Sequence, residues 1–193
     1  MSGVANAALN QASNVGGGGV TLTNSGTVEV LASALQLVKQ VWIGGTCMAS
    51  IPADAACNGS AITVTVPSGT ALKFMIFVKN NTAIAISDVR FQDAIDDTAG
   101  AAGGFTPTAA SLKYDMSQNG SATAANIYTA VIAGTAETDA VDAGAGNYAS
   151  ILNTGGTAAL DNLTVGAVPG QVNATLNVNA NTTFAIVFDA VKN

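Results

Sequence analysis

Residues 62–95 read ITVTVPSGTALKFMIFVKNNTAIAISDVRFQDAI, and this stretch constrains the fold more than any other part of the chain. It opens with a β-branched run at 62–66 and turns at Pro67, Ser68 and Gly69. Across 71–79 it alternates. Leu72, Phe74, Ile76 and Val78 fall on one face; Lys73, Met75, Phe77 and Lys79 fall on the other. A period of two marks a strand rather than a helix. Asn80 and Asn81 supply turn chemistry. Val89 and Phe91 resume the alternation before Asp93, Asp96 and Asp97 end it. Two strands, a polar turn and a third strand predict a meander, whose apolar face needs a second sheet to cover it.

Further strands are expected on both sides. Residues 20–30, VTLTNSGTVEV, place Val20, Leu22, Val28 and Val30 on one face and Thr21, Thr23, Thr27 and Glu29 on the other. They read as one long, half-buried strand. Residues 1–19 precede it as a flexible lead ending in a glycine hinge, Gly16, Gly17, Gly18 and Gly19. Residues 34–43 put Leu35, Leu37, Val41 and Ile43 on one strand face, although Leu31, Leu35 and Val38 also match a helical spacing. Residues 111–116, 126–133 (NIYTAVIA), 160–165, 174–178 and 183–191 read as strands, and 98–111 as loop. The expected division is a lead at 1–19, an extension strand at 20–30 and an all-β domain at 31–193.

Composition narrows the function classes. Charged residues are 9% of the 193, against about 25% in ordinary domains. The net charge of −6 argues against a nucleic-acid partner. The chain has no histidine, the commonest general base and metal ligand. No Ser or Cys nucleophile therefore has a His base, and neither catalysis nor a cofactor is expected. The four glycines lack the Lys-Ser/Thr that would follow in a phosphate loop. No apolar run approaches the ~20 residues of a membrane span. No positive region precedes an apolar core at the N-terminus, so no signal peptide is expected in this numbering.

Cys47 and Cys57 suit a disulfide closing a surface loop, with Pro52, Asp54 and Asn58 nearby. Such a bond places the chain in an oxidising compartment. Asp93, Asp96 and Asp97 form an acidic cluster of the kind that holds calcium, and Asp139, Asp142 and Asn147 a thinner one. Asn-X-Ser/Thr sequons at Asn58, Asn80, Asn119, Asn162, Asn173 and Asn181 are candidate glycan sites.

The stretch VPSGTALKFMIFVKNNTAIAISDVRFQDAI also resembles the immunoglobulin-like repeat of prokaryotic surface proteins. That family reads as apolar strand, Gly turn, alternating strand, "N-N/G-T", then "V-x-V-x-D". LQLVKQV resembles its first strand, which decides for a strand over 34–43. SLKYDM resembles its "G-S-L-x-x-D", and LNVNANTTFAIVFDAVK its late strands. ETDAVDAGAGNYASI resembles its "T-D-A-x-D-G-D-A-G-D-Y", with Ala143, Ala145 and Asn147 where some of the acids would stand. The resemblance implies an antiparallel immunoglobulin-like β-sandwich of about seven or more strands. It implies a structural role outside the cell and no catalysis.

In that family a strand like "I-T-N-T-A-T-V" follows "T-F-x-V-x-V". Here VTLTNSGTVEV, at the front of the chain, resembles it. A sandwich short of its last strand exposes an edge and a groove over its core. The N-terminal strand is expected to fill that groove in the next subunit, a head-to-tail contact that does not close and so builds a filament. Val20, Leu22, Val28 and Val30 would contribute on the order of 6–12 kcal/mol before ordering costs. The expected groove is lined by Phe184, Ile186 and Phe188. The expected function is a secreted homopolymer subunit, similar to TasA-type matrix fibres and donor-strand pili. A monomeric adhesive or carbohydrate-binding module, and a surface-layer or coat protein, are the alternatives.

Overall fold

The computed structural model describes the backbone of residues 18–22, 26–30, 35–95, 104–137, 146–152, 161–167 and 173–193. The chain divides into two units, Met1–Gln36 and Leu37–Asn193. In the first, β1 (Gly18–Leu22) and β2 (Gly26–Val30) make an antiparallel sheet of their own, with Val20 opposite Val28. The single strand expected over 20–30 is thus two. The sequence between the two runs of alternation, Asn24-Ser25-Gly26, is composed of residues that favour turns. β1 itself begins inside the glycine run, with Gly18 opposite Val30.

The second unit is mostly β and antiparallel, with a sandwich-like arrangement of sheets. Its main sheet draws on β3 (Leu35–Ile43), β4 (Thr46–Ile51), β5 (Ala71–Asn80), β8 (Phe105–Pro107), β9 (Lys113–Asp115), β10 (Thr135–Ala136) and β14 (Thr182–Lys192). The order is β10-β9-β14-β5-β3-β4, and β8 also pairs with β14. Beside it, β7 (Phe91–Ile95), β12 (Asp161–Val165) and β11 (Ala149–Leu152) form a three-stranded sheet. β6 (Ile86–Val89) pairs with β13 (Leu176–Val178). One ion pair and one amide bridge these small sheets to the large one. Lys39 on β3 meets Asp93 on β7 at 2.6 Å, and Asn80 Nδ2 donates to Val178 O at 3.1 Å.

The β5–β14 ladder is the spine. Its register runs from Thr182 opposite Asn80 to Val191 opposite Ala71. Residues opposite each other share a face, so Phe184, Ile186 and Phe188 lie beside Val78, Ile76 and Phe74. Ala185 and Val187 lie beside Phe77 and Met75 on the other side. Both faces are buried, as the strings of apolar residues without a solvent side require.

A helix rather than a second sheet covers the Met75 face. Of residues 126–133, expected as a strand, 126–132 belong to α1 (Ala124–Ile132) and Ala133 is its C-cap. Ile127 and Val131 fit either period, but Tyr128 is buried with them, and i, i+1, i+4 is a helical stripe. Thr123 caps the N-terminus, its hydroxyl accepting from Asn126 N at 3.3 Å. The stripe packs in one cluster with Trp42, Met75, Phe77, Ala185 and Val187, and the Trp42 and Tyr128 rings stack at 3.9 Å. This burial overrides the β-propensity of Ile, Tyr and Val.

The same cluster sets the inward face of β3. Leu37, on the face it shares with Leu35, Val41 and Ile43, is 51% exposed, while Val38, Gln40 and Trp42 on the other face are buried. Gln40 is tolerated there because Trp42 Nε1 donates to its Oε1 at 3.1 Å and its Nε2 reaches Ser50 Oγ at 3.2 Å. Cys47 and Cys57 form the expected disulfide, with Cα atoms 4.9 Å apart. It closes the loop after β4 and stabilises the fold by about 2–4 kcal/mol. Residues 62–66, expected as a strand, belong to no sheet.

Candidate functional site

The expected acceptor groove is filled. Phe184, Ile186 and Phe188 are buried, and β14 is an interior strand. β5 occupies one edge, and β9 and β8 occupy the other at Ala185 to Val187 and Ala190 to Lys192. Rings pack against the face: Phe74 lies beside Phe188 at 5.3 Å, and Tyr148 lies 6.1 Å from Phe184. The sequence of β14 shows that it is apolar on both faces but carries no sign of how many neighbours it has. Val20, Leu22, Val28 and Val30 sit on β1 and β2, and their side chains lie outside the described residues.

A cavity of about 300 Å³ opens beside the stacked Trp42 and Tyr128, lined also by Gly44, Gly45, Leu72 and Lys73. Lys73 and Asp189 pair across its floor, opposite each other in the ladder. Each ring gives one face to the other, and both side chains are buried, so neither presents an open face to stack a sugar. Burial raises the Tyr128 phenol above its ordinary value, an effect that nearby Lys73 opposes. Tyr128 thus stays protonated at neutral pH. The arrangement offers a neutralised ion pair and a protonated phenol.

The acidic cluster divides. Both carboxylate oxygens of Asp93 accept from Lys39 Nζ, at 2.8 and 2.6 Å. Asp96, Asp97, Asp139 and Asp142 lie outside the described residues. Among the described residues no group of three or more acidic, His or Cys side chains is placed to hold a metal ion.

The sequons separate by burial. Asn80 is fully buried, and its Nδ2 donates to the carbonyls of Ile84, Val178 and Asn179. Asn173 is buried with Nδ2 on Thr164, 3.2 Å from both its carbonyl and its hydroxyl. A glycan has no access to either nitrogen in the folded chain, which corrects the expectation for these two. Asn58, Asn119 and Asn181 are exposed. Asn119 stands in an Asx turn, Oδ1 accepting from Ser121 N at 3.0 Å. The Asn162 side chain lies outside the described residues.

Glu137 was not singled out in the sequence. It is buried, and one carboxylate oxygen accepts from Tyr148 N at 2.9 Å. Burial raises its carboxyl above the ordinary value of 4.5, and the backbone bonds from Tyr148 and Ala149 only partly offset this. The folded chain therefore binds the proton more tightly than the unfolded chain. Stability from this group is full at low pH and declines as pH rises from about 4.5 through the raised folded value. Glu137→Gln is expected to flatten that decline in thermal melts between pH 4 and 7; an unchanged pH profile would refute the assignment.

Among the described residues no helix is long and apolar enough to cross a membrane. No known protein family, curated protein or solved structure matches the chain.

Proposed function

We propose that the chain is a structural subunit of an extracellular filament. In this reading Leu37–Asn193 is an immunoglobulin-like sandwich, and the N-terminal strands join one subunit to the next, head to tail. The observation that carries it is the N-terminal sheet: two strands of five residues each that ladder with each other. A lone two-stranded sheet is marginal in water, and a third strand gives it a stable setting. The disulfide supports an oxidising, extracellular setting. The sparse charge supports a surface of hydroxyls and amides suited to close packing between copies. Phe184, Ile186 and Phe188 are buried within the subunit, so this reading puts the contact at a strand edge, as strand addition. The reading assigns no reaction and no cofactor.

Electron microscopy of the purified full chain tests it, alongside a chain lacking residues 1–30. The full chain is expected to form filaments and the truncated chain none, with its disulfide and far-ultraviolet dichroism retained. Normal assembly of the truncated chain would overturn the N-terminal joint. Sheets or closed shells from the full chain would favour a coat protein, and dispersed particles a monomeric surface module.

A further inference from the structure

Residues 62–66, Ile-Thr-Val-Thr-Val, are all β-branched and belong to no sheet. They are tied at both ends. Before them Ser50 N donates to Ala61 O at 2.9 Å; after them Thr70 N donates to Pro67 O at 3.2 Å and Gly69 N to Lys192 O at 2.8 Å. Between these ties, among the described residues, no backbone hydrogen bond engages the run.

Proteins usually defend such an edge with charge, proline or a bulge. This one carries no such defence within the run, and no charged residue stands between Asp54 and Lys73. It is also apolar where it begins: Ile62 is 57% exposed, and Ile51, next to the bonded Ser50, is 60% exposed. Thr63 and Thr65 are exposed while Val64 and Val66 are half-buried, so the alternation of a strand is already in place.

We propose that residues 62–66 are the acceptor edge of the filament joint, and that β2 of a second copy adds to it as a strand. This rests on the filament reading and names its acceptor. β2 fits by length, five residues facing five, each run spanning about 17 Å. It fits by pattern, because Gly26–Val30 alternates Thr27 and Glu29 with Val28 and Val30, allowing Val–Val and Thr–Thr cross-strand pairs. β1 uses one edge of β2; among the described residues no strand pairs with the other, so the neighbour can add there without unzipping the pair. β1 suits the role less well, since it begins with Gly18 and Gly19, which weaken a strand.

Hydrogen exchange on the full chain tests the proposal, before and after assembly. The amides of 62–66 are expected to exchange freely in dispersed subunits and at least about 100-fold more slowly in filaments. Val64→Pro removes an N–H that has no backbone partner among the described residues but is needed for strand addition. It is expected to keep the disulfide and the unfolding midpoint and to lower filament yield at least about tenfold. Thr65→Val retains the amide and is expected to assemble normally. Filaments whose 62–66 amides still exchange freely would overturn this edge and leave the filament reading intact. Subunits that never assemble would overturn both, whereas protection of 62–66 already present in a dispersed monomer would overturn this edge alone.

Discussion

Phe188→Ala is expected to lower the unfolding free energy of the chain by about 3–5 kcal/mol. Phe188 is fully buried and sits opposite Phe74, the two rings 5.3 Å apart. Phe74 in turn meets Phe105 edge-on at 5.1 Å. β14 is held on both edges by ladders, so the backbone cannot collapse into the space that the ring leaves. The loss is then the transfer term plus a cavity term. Domains of this size are stable by about 5–15 kcal/mol, so the variant forfeits a large share of the margin. Urea unfolding checks this: the midpoint is expected to fall with the slope unchanged. The result also decides between two pictures of the same residue. A Phe188 lining an open groove would cost less than about 1 kcal/mol in the isolated subunit, because its ring would already face water.

Asn80→Asp is expected to destabilise the fold by at least about 3 kcal/mol, and by no less than Asn80→Ala. The change is nearly isosteric, which isolates the chemistry. Asn80 Nδ2 donates at 2.8 Å to Ile84 O, 3.1 Å to Val178 O and 2.9 Å to Asn179 O. Its Oδ1 accepts from Thr82 N at 3.0 Å and from Thr82 Oγ1 at 2.7 Å. Aspartate keeps the second set and turns the first into a carboxylate facing carbonyl oxygens, in a site closed to water. The carboxyl is expected to hold a proton to relieve this, so Asn80→Asp should recover stability as pH falls while Asn80→Ala should not. Denaturant midpoints of both variants at pH 4 and pH 7 check the prediction. Equal stability of Asn80→Asp and the parent at pH 7 would show that the amide is not the node described.

Asn80 also shows how one residue reads differently at the two levels. In the sequence it is a turn former and the first residue of a sequon. In the fold it is the bolt between the end of β5 and the chain around β13. Nothing in the local sequence reports the carbonyls of Val178 and Asn179, which lie about a hundred positions away along the chain. The inward face of β3 is hidden from the sequence for a related reason. Its apolar residues occur on both faces, and the inward face was settled by Trp42 stacking on a tyrosine of a helix far along the chain. Residues 126–133 carry Ile and Val at positions common to both periods, so only the partners decide between strand and helix.

Sequence by itself determined what depends on neighbours along the chain. The alternation of 71–79 and 183–191 made two strands with two apolar faces, and two cysteines made one loop closure. Tertiary structure alone decided which edges pair. It put β14 inside the sheet, gave the Met75 face a helix, and left residues 62–66 without a ladder. The physical reason is that side-chain period specifies which residues share a face. The backbone N–H and C=O groups that join edges are the same in every residue but proline, so the choice of neighbour leaves no mark in the sequence.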